Sequence, residues 1–274
     1  MISQAEIDRQ NSAFWDELCG TQLAVSLGIH DDSPESLAKF DSWYFDFYPY
    51  LFKHIPFAQM AGKRVLEVGL GYGSVAEKIA ASGALYHGLD IAAGPVAMVA
   101  KRLERLGVTV ELRQDSILEP PFEEGTFDWI IAIGCLHHTG NLQAAIDQVH
   151  GLLRPGGQAM IMVYSATSYR QWVQQPAETF RRMTSNPAGY AARLASDEST
   201  RGAYDANEAG EAAPQTEFVT KRELRYMCRA FKTCAIASEN IWTEGGPLEF
   251  LPRNLACLLF RRYLGLDLYC RLER

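Results

Sequence analysis

RVLEVGLGYGS, residues 64–74, decides how the rest of the chain is read. An apolar run carries one acid, Glu67, and ends in Gly69, Gly71 and Gly73 at every second position. A strand buried on both faces of a parallel sheet reads as such a run. A glycine-rich turn at its end lets backbone approach a ligand without Cβ clashes, and it bares amides at the start of the next helix. The spacing is GxGxG followed by Ser74, whereas a dinucleotide fingerprint is GxGxxG. A carboxylate inside a buried strand is costly when unpaired. It makes sense near a cationic or amine-bearing ligand.

The alternation continues downstream. ALYHGLD (84–90), VTVELRQD (108–115), FDWIIAIG (127–134) and QAMIMVY (158–164) read as strands. GSVAEKIAAS (73–82), PVAMVAKRLERLG (95–107) and LQAAIDQVHGLLR (142–154) read as helices, the last capped by Asn141 and ended by PGG. Strands and helices in alternation predict a doubly wound, Rossmann-like α/β sheet covered on both faces. Farther on, TKRELRYMCRAF and PRNLACLLFRRYLG predict helices, and TCAIASENIW and LDLYCRL predict strands. The helix PRNLACLLFRRYLG is expected to precede the terminal strand; a basic membrane-surface helix is its alternative role.

Before the alternating core, SAFWDELCGTQLAVSLGI and SPESLAKFDSWYFDFYPYLFKHI predict helices rich in aromatic residues. After it, SDESTRGAYDANEAGEAAPQT (196–216) predicts a long polar loop, and loops of that length usually serve function or are disordered. The division expected is a helical lid at 1–60, a cofactor-binding core at 61–164, an acceptor-side insert at 165–216 and completion of the sheet at 217–274.

The charge is −7 over 274 residues. Residues 1–150 hold 10 basic and 20 acidic side chains, and the remainder 16 and 13. That balance argues against a nucleic-acid partner. No run is long and apolar enough to span a bilayer, and the first twenty residues carry no signal core, so stable membrane insertion is not expected and a cytoplasmic location is. Cys19, Cys135, Cys228, Cys234, Cys257 and Cys270 form no CxxC pair and no zinc-like spacing. Scattered reduced thiols, without disulfide or metal, are expected.

Strand ends in a doubly wound sheet point into the ligand crevice. Asp90 ends the second strand, where an acid typically accepts from ribose hydroxyls. Asp115 ends the third, with Ser116 and Ile117 beside it, placed to accept from an adenine amine. Capping of loops is the alternative role for Glu67, Asp90 and Asp115.

The set VLEVGLGYG, GLD (88–90), QDS (114–116), FDWIIAIGCLHH (127–138) and LLRPGG (152–157), in that order, resembles the class I S-adenosylmethionine-dependent methyltransferases. The resemblance spans roughly residues 64–164. It implies a seven-stranded, mostly parallel sheet with an antiparallel last strand. It implies S-adenosylmethionine as cofactor, S-adenosylhomocysteine as product and no metal. The cofactor residues it implies are Glu67, Gly69, Gly71, Gly73, Asp90, Ile91, Asp115, Ser116, Ile117 and Gly134. Glu67 would act near the glycine turn through backbone or water. The outer segments loosely resemble bacterial methyltransferases of surface-glycan or secondary-metabolite clusters, which points to a small-molecule or glycan-type acceptor.

A sulfonium methyl is already electrophilic, so the protein must align a nucleophile and exclude water. An alcohol also needs its proton removed, which suits a neutral histidine. His137 and His138 follow the fourth strand, and either is a candidate base; packing and loop capping are their alternative roles. Trp43, Tyr44, Tyr48 and Tyr50 are candidates for the acceptor pocket and a lid, with Trp15 similar. Tyr164 and Arg170 leave the fifth strand on the same side. Methylation at oxygen is expected, with N- or C-methylation and a non-catalytic cofactor-binding role as alternatives. A nicotinamide-dependent oxidoreductase is disfavoured by Ser74 and Glu67.

Overall fold

The computed structural model describes residues 2–17, 26–29, 31–192 and 196–274, with side chains of 190–192 left aside. Cys19 and part of the first aromatic segment lie outside the described residues.

Seven strands form one sheet in the order β3-β2-β1-β4-β5-β7-β6. They are β1 (Arg64–Val68), β2 (Leu85–Asp90), β3 (Glu111–Gln114), β4 (Phe127–Ile133), β5 (Leu153–Tyr164), β6 (Thr233–Glu239) and β7 (Asp267–Glu273). β1 to β5 run parallel, and β7 runs antiparallel between β5 and β6. The doubly wound sheet with a reversed last strand is therefore as expected. Chain order reverses between β1 and β4, which opens a crevice at the carboxyl ends of those strands.

Helices cover both faces because the central strands β1, β4 and β5 present apolar residues both ways. On one face the helix Leu142–Leu152 buries Leu142, Ala145, Ile146, Val149 and Leu152 against Leu66 and Val68. On the other, the helices Ser74–Ala81 and Ala93–Arg105 bury Val75, Ile79, Val99 and Leu103 against Val65. The expected helix over 142–154 stops at Leu152, and β5 begins at Leu153. Pro155, Gly156 and Gly157 lie inside that strand, beside a register shift opposite Phe127 and Trp129. Gly157 passes so close that a Cβ would lie 2.9 Å from Arg154 O.

The helix Arg253–Leu264 does precede β7. Leu255, Leu258, Leu259 and Tyr263 on it are exposed. No helix among the described residues is long and apolar enough to cross a membrane.

Two expectations fail. The stretch 196–216 is not one open loop. It contains the helix Glu198–Gly202 and a bridge between Ala206 and Ala212, and Arg201 Nε donates to Ala213 O at 2.8 Å. Nor are the thiols all scattered. The sulfurs of Cys228, Cys234 and Cys270 all lie within 4.8 Å of one another. The β6–β7 register pairs Cys234 with Leu272 and Ile236 with Cys270, which puts both cysteines on one face; spacing along the chain cannot reveal that.

Candidate active site

A cavity of about 210 Å³ sits at the crevice. Four strand ends supply its walls: Gly69 and Gly71 after β1, Asp90 and Ile91 at β2, Asp115, Ser116 and Ile117 after β3, and Ile133 to Thr139 at β4, with His137 excepted. Eight of the ten residues expected to hold the cofactor thus come together. Asp8, Asn11 and Trp15 close the mouth from the helix Gln4–Trp15.

The two exceptions have clear causes. Side chains alternate along a strand, so Glu67 faces the same side as Val65, away from the cavity lined by Val68. There it is buried and accepts from Tyr86 Oη at 2.6 Å. Desolvation pushes its pKa up to about 8, opposed by the Tyr86 hydrogen bond, so it holds a proton at neutral pH. Gly73 packs under the helix Ala93–Arg105, where a Cβ would come within 2.9 Å of Arg102 Cδ. The buried Arg102 guanidinium is held by Asp41 and Glu77 at 2.9 Å, and Ser74 Oγ donates to Asp41. This ion cluster anchors the glycine turn's helix to the helix Pro34–Phe47.

The remaining glycines act differently. Gly69 takes a φ of +76°, and a Cβ there would lie 2.4 Å from Cys135 Cβ. Gly71, at φ +49°, has nothing within 4 Å of a would-be Cβ, so its bare backbone leaves open space in the cavity wall. Asp90 is buried and clamps the turn: Oδ2 accepts from Leu70 N at 2.7 Å and Oδ1 from Ala92 N at 2.9 Å. Capping and ligand binding are thus not alternatives for Asp90, because each oxygen keeps a second lone pair. Asp115 is exposed toward solvent and accepts from Ser116 N at 2.9 Å.

His138 lines the cavity and His137 does not. His138 Nδ1 lies 2.7 Å from Gln215 O. A carbonyl only accepts, so Nδ1 carries the proton and the neutral ring presents its lone pair at Nε2. That nitrogen is buried without a hydrogen-bond partner, 3.7 Å from Asp205 Oδ2. Burial lowers the pKa of His138 below the ordinary histidine value, against the raising influence of Asp205 and Gln215. The ring is neutral at pH 7. Its backbone carbonyl accepts from Asn11 Nδ2 at 2.7 Å, and its ring centre lies 4.8 Å from that of Trp15. His137 is fully buried, with both ring nitrogens unpartnered, and packs 4.2 Å from the Tyr164 ring. Burial lowers its pKa strongly.

No residue of the aromatic stretch 43–50 lines the cavity. Trp43 stacks on Phe47 and meets Tyr48 edge-on, and Tyr50 is core. Tyr44, Tyr48 and Tyr164 are half-buried and pack on the sheet face that carries Ile133, a residue shared with the cavity. Tyr164 Oη donates to Asp205 Oδ1 at 3.2 Å. Arg170 is spent on structure, between the rings of Tyr204 and Trp242 and against Ala203 O. Sequence reasoning missed Asp8, Asn11 and Asp205. The helix over 4–15 carries a visible N-cap at Ser3, but nothing along the chain signals that its polar face meets the crevice.

The charge of the cavity discriminates between ligands. Asp8, Asp90 and Asp115 line it, and no Lys or Arg among the described residues does. A pyrophosphate would find no countercharge, whereas a sulfonium and an ammonium would. Asn11 Oδ1 is buried there without a partner. Together with the open space at Gly71, these features fit S-adenosylmethionine: carboxylates for hydroxyl and amine donors, bare backbone for close approach, and no cation.

This is the fold of a class I S-adenosylmethionine-dependent methyltransferase. Residues 65–157 match the family model described as a methyltransferase domain. Ubiquinone biosynthesis O-methyltransferase of Pseudomonas aeruginosa is 35% identical over 106 residues, covering 38% of this chain and 45% of that protein. Demethylmenaquinone methyltransferase of Tropheryma whipplei is 28% identical over 138 residues, covering 47% and 56%. The chain thus spans about half the length of these curated relatives. A crystal structure of a Pyrococcus horikoshii protein superposes with a TM-score of 0.54 at 15% identity, covering 86% of this chain and 91% of that one. An S-adenosylmethionine-dependent methyltransferase of Mesorhizobium loti gives 0.52 at 16%, covering 83% and 97%. These two likenesses concern the fold.

Proposed function

We propose that the protein transfers a methyl group from S-adenosylmethionine to a hydroxyl of a small molecule. One observation carries the reading: the cavity at the four strand ends is lined by three carboxylates and, among the described residues, no Lys or Arg, and His138, whose Nε2 has no hydrogen-bond partner, forms part of its wall. The related quinone-biosynthesis enzymes, named for small-molecule pathways, support the substrate class.

The cofactor supplies an electrophilic methyl when bound. Asp90 and Asp115 hold its hydroxyl and amine donors, and Gly69 and Gly71 let the backbone approach. The helix Gln4–Trp15 excludes water, tied across the crevice by Asn11 to His138 O, Gln4 to Thr139 O and Ser12 to Ile91 O. His138 Nε2 takes the hydroxyl proton, while the bond from Nδ1 to Gln215 O fixes the tautomer. The acceptor lies past Ile133, beside Tyr44, Tyr48 and Tyr164. Trp43 and Arg170 then act behind that pocket.

An amine acceptor is the second reading, favoured by the half-buried Asp205, which accepts from Tyr164 Oη, and the buried Asp267, which accepts from Tyr50 Oη at 3.2 Å. Methyl-labelled cofactor, offered with a panel of phenolic hydroxyl and amine acceptors, separates the two. Labelled ethers with accumulating S-adenosylhomocysteine are expected. Label only in amines would overturn the oxygen assignment, and label in neither would overturn the enzyme.

A further inference from the structure

At the other end of the sheet, three thiols point at one another. Cys228 caps the helix Lys221–Met227, Cys234 is the second residue of β6, and Cys270 lies mid-strand in β7. β6 runs parallel to β5, so Cys234 sits at an amino end, whereas the cavity occupies the carboxyl ends. Cys234 Sγ and Cys270 Sγ are 3.4 Å apart, and all three sulfurs lie within 4.8 Å of one another. None is in a disulfide.

We propose that Cys228, Cys234 and Cys270 form a three-sulfur site for a soft monovalent ion, Cu(I). Three sulfurs in a plane around one ion, each at a bond length of about 2.3 Å, lie about 4.0 Å apart. The observed cluster therefore reaches that geometry with side-chain adjustments of well under an ångström. Thiolates select soft ions. Among the described residues no His, Asp or Glu joins the trio. A structural zinc site wants four ligands and a catalytic one keeps a water in the fourth position, whereas here the sulfurs share a core cluster with Phe231, Ile236 and Leu272 and no fourth ligand joins them among the described residues. A trigonal, all-sulfur site suits Cu(I) better than Zn(II).

Access and charge also fit. Cys228 and Cys270 are buried, but Cys234 is only half-buried and gives an entry route. Arg225 supplies positive charge near Cys234. Binding forms three copper–sulfur bonds and breaks three sulfur–hydrogen bonds, whose protons leave to solvent. The copper stays Cu(I), so no electron moves.

The test uses the full chain, fully reduced and free of oxygen, titrated with Cu(I) buffered by the coloured chelator bicinchoninate. One equivalent of copper should leave the chelator, and the thermal unfolding midpoint should rise, because the ion ties a helix to β6 and β7. Cys234→Ser and Cys270→Ser should each lower the affinity at least tenfold and abolish the rise in midpoint. Cys257→Ser, on a separate helix, should behave as wild type. Circular dichroism of each variant confirms that it is folded, and Cys234→Ala, at the half-buried position, serves where a buried serine unfolds the protein. The assignment is overturned if the chelator keeps its copper, if the Cys234 and Cys270 variants retain copper as wild type does, or if an equal concentration of Zn(II) displaces it.

Discussion

Replacing His138 by alanine tests how the site would handle a proton. The imidazole is held at Nδ1 by Gln215 O, 2.7 Å away, and its Nε2 has no partner. A positioned base contributes roughly 10²- to 10⁴-fold. Burial depresses the pKa of this one, and a weaker base gives less catalysis, so a loss of about 10²- to 10³-fold is expected. That is about 2.7 to 4 kcal/mol of barrier. Losing the hydrogen bond to Gln215 and the packing on Trp15 costs stability of about 2 to 4 kcal/mol, so circular dichroism and cofactor titration first establish that the variant is folded and loaded. The assay is single-turnover methyl transfer at saturating cofactor, run across pH. In wild type the rate should rise with pH through a value below the unperturbed histidine value of about 6.5 and then level off, because only the neutral ring accepts a proton. The alanine variant should lack that limb. Near-normal turnover in a folded, cofactor-saturated variant would refute the assignment, and His137→Ala serves as the matched control.

The other predictions concern pH, backbone and the acid behind the base. Glu67 has a folded pKa near 8 against 4.5 unfolded, so it favours folding below pH 4.5 and loses that contribution as pH rises toward 8. Glu67→Gln should remove a decline of about 3 kcal/mol between pH 4.5 and 7; urea unfolding at several pH values that shows the same decline in both proteins contradicts this. Gly69→Ala should cost about 2 to 5 kcal/mol, from the positive φ and the overlap with Cys135. Gly71→Ala should cost only about 1 to 2 kcal/mol but weaken cofactor binding, and equal denaturation midpoints would defeat the distinction. Asp205→Asn removes the group that raises the His138 pKa, so the acid limb of the rate should move to lower pH; an unmoved limb would show that the two do not interact.

Strand ends were legible because the chemistry and the period coincide there. VLEVGLG, GLD and IIAIG each close a buried strand, and QDS closes the exposed edge strand β3, with residues that a packed strand does not need, and all four meet at one cavity. Glu67 misled because the acid stands out in an apolar run, while strict alternation sends it to the face opposite Leu66 and Val68. Gly73 looked like a third contact of the ligand turn, but it is required by the packing of Arg102. Aromatic density suggested a lid at 43–50; those rings pack on one another and on the sheet, and it is Asp8, Asn11 and Trp15 of the helix at 4–15 that line the cavity. Asp205 and the cysteine cluster are tertiary juxtapositions: residues 67 positions apart from His138, or 36 apart across β6 and β7, leave no local pattern.

Calorimetric titration with S-adenosylhomocysteine tests the central claim most directly, because it needs no acceptor. One site per chain is expected, with NAD giving no heat at the same concentrations, since three carboxylates and, among the described residues, no Lys or Arg line the cavity. Asp115→Ala should weaken the homocysteine ligand by about 0.5 to 1.5 kcal/mol, the net range for one hydrogen bond at a position open to solvent. Binding of NAD in preference to S-adenosylhomocysteine, or no binding of S-adenosylhomocysteine by the folded protein, would contradict the account.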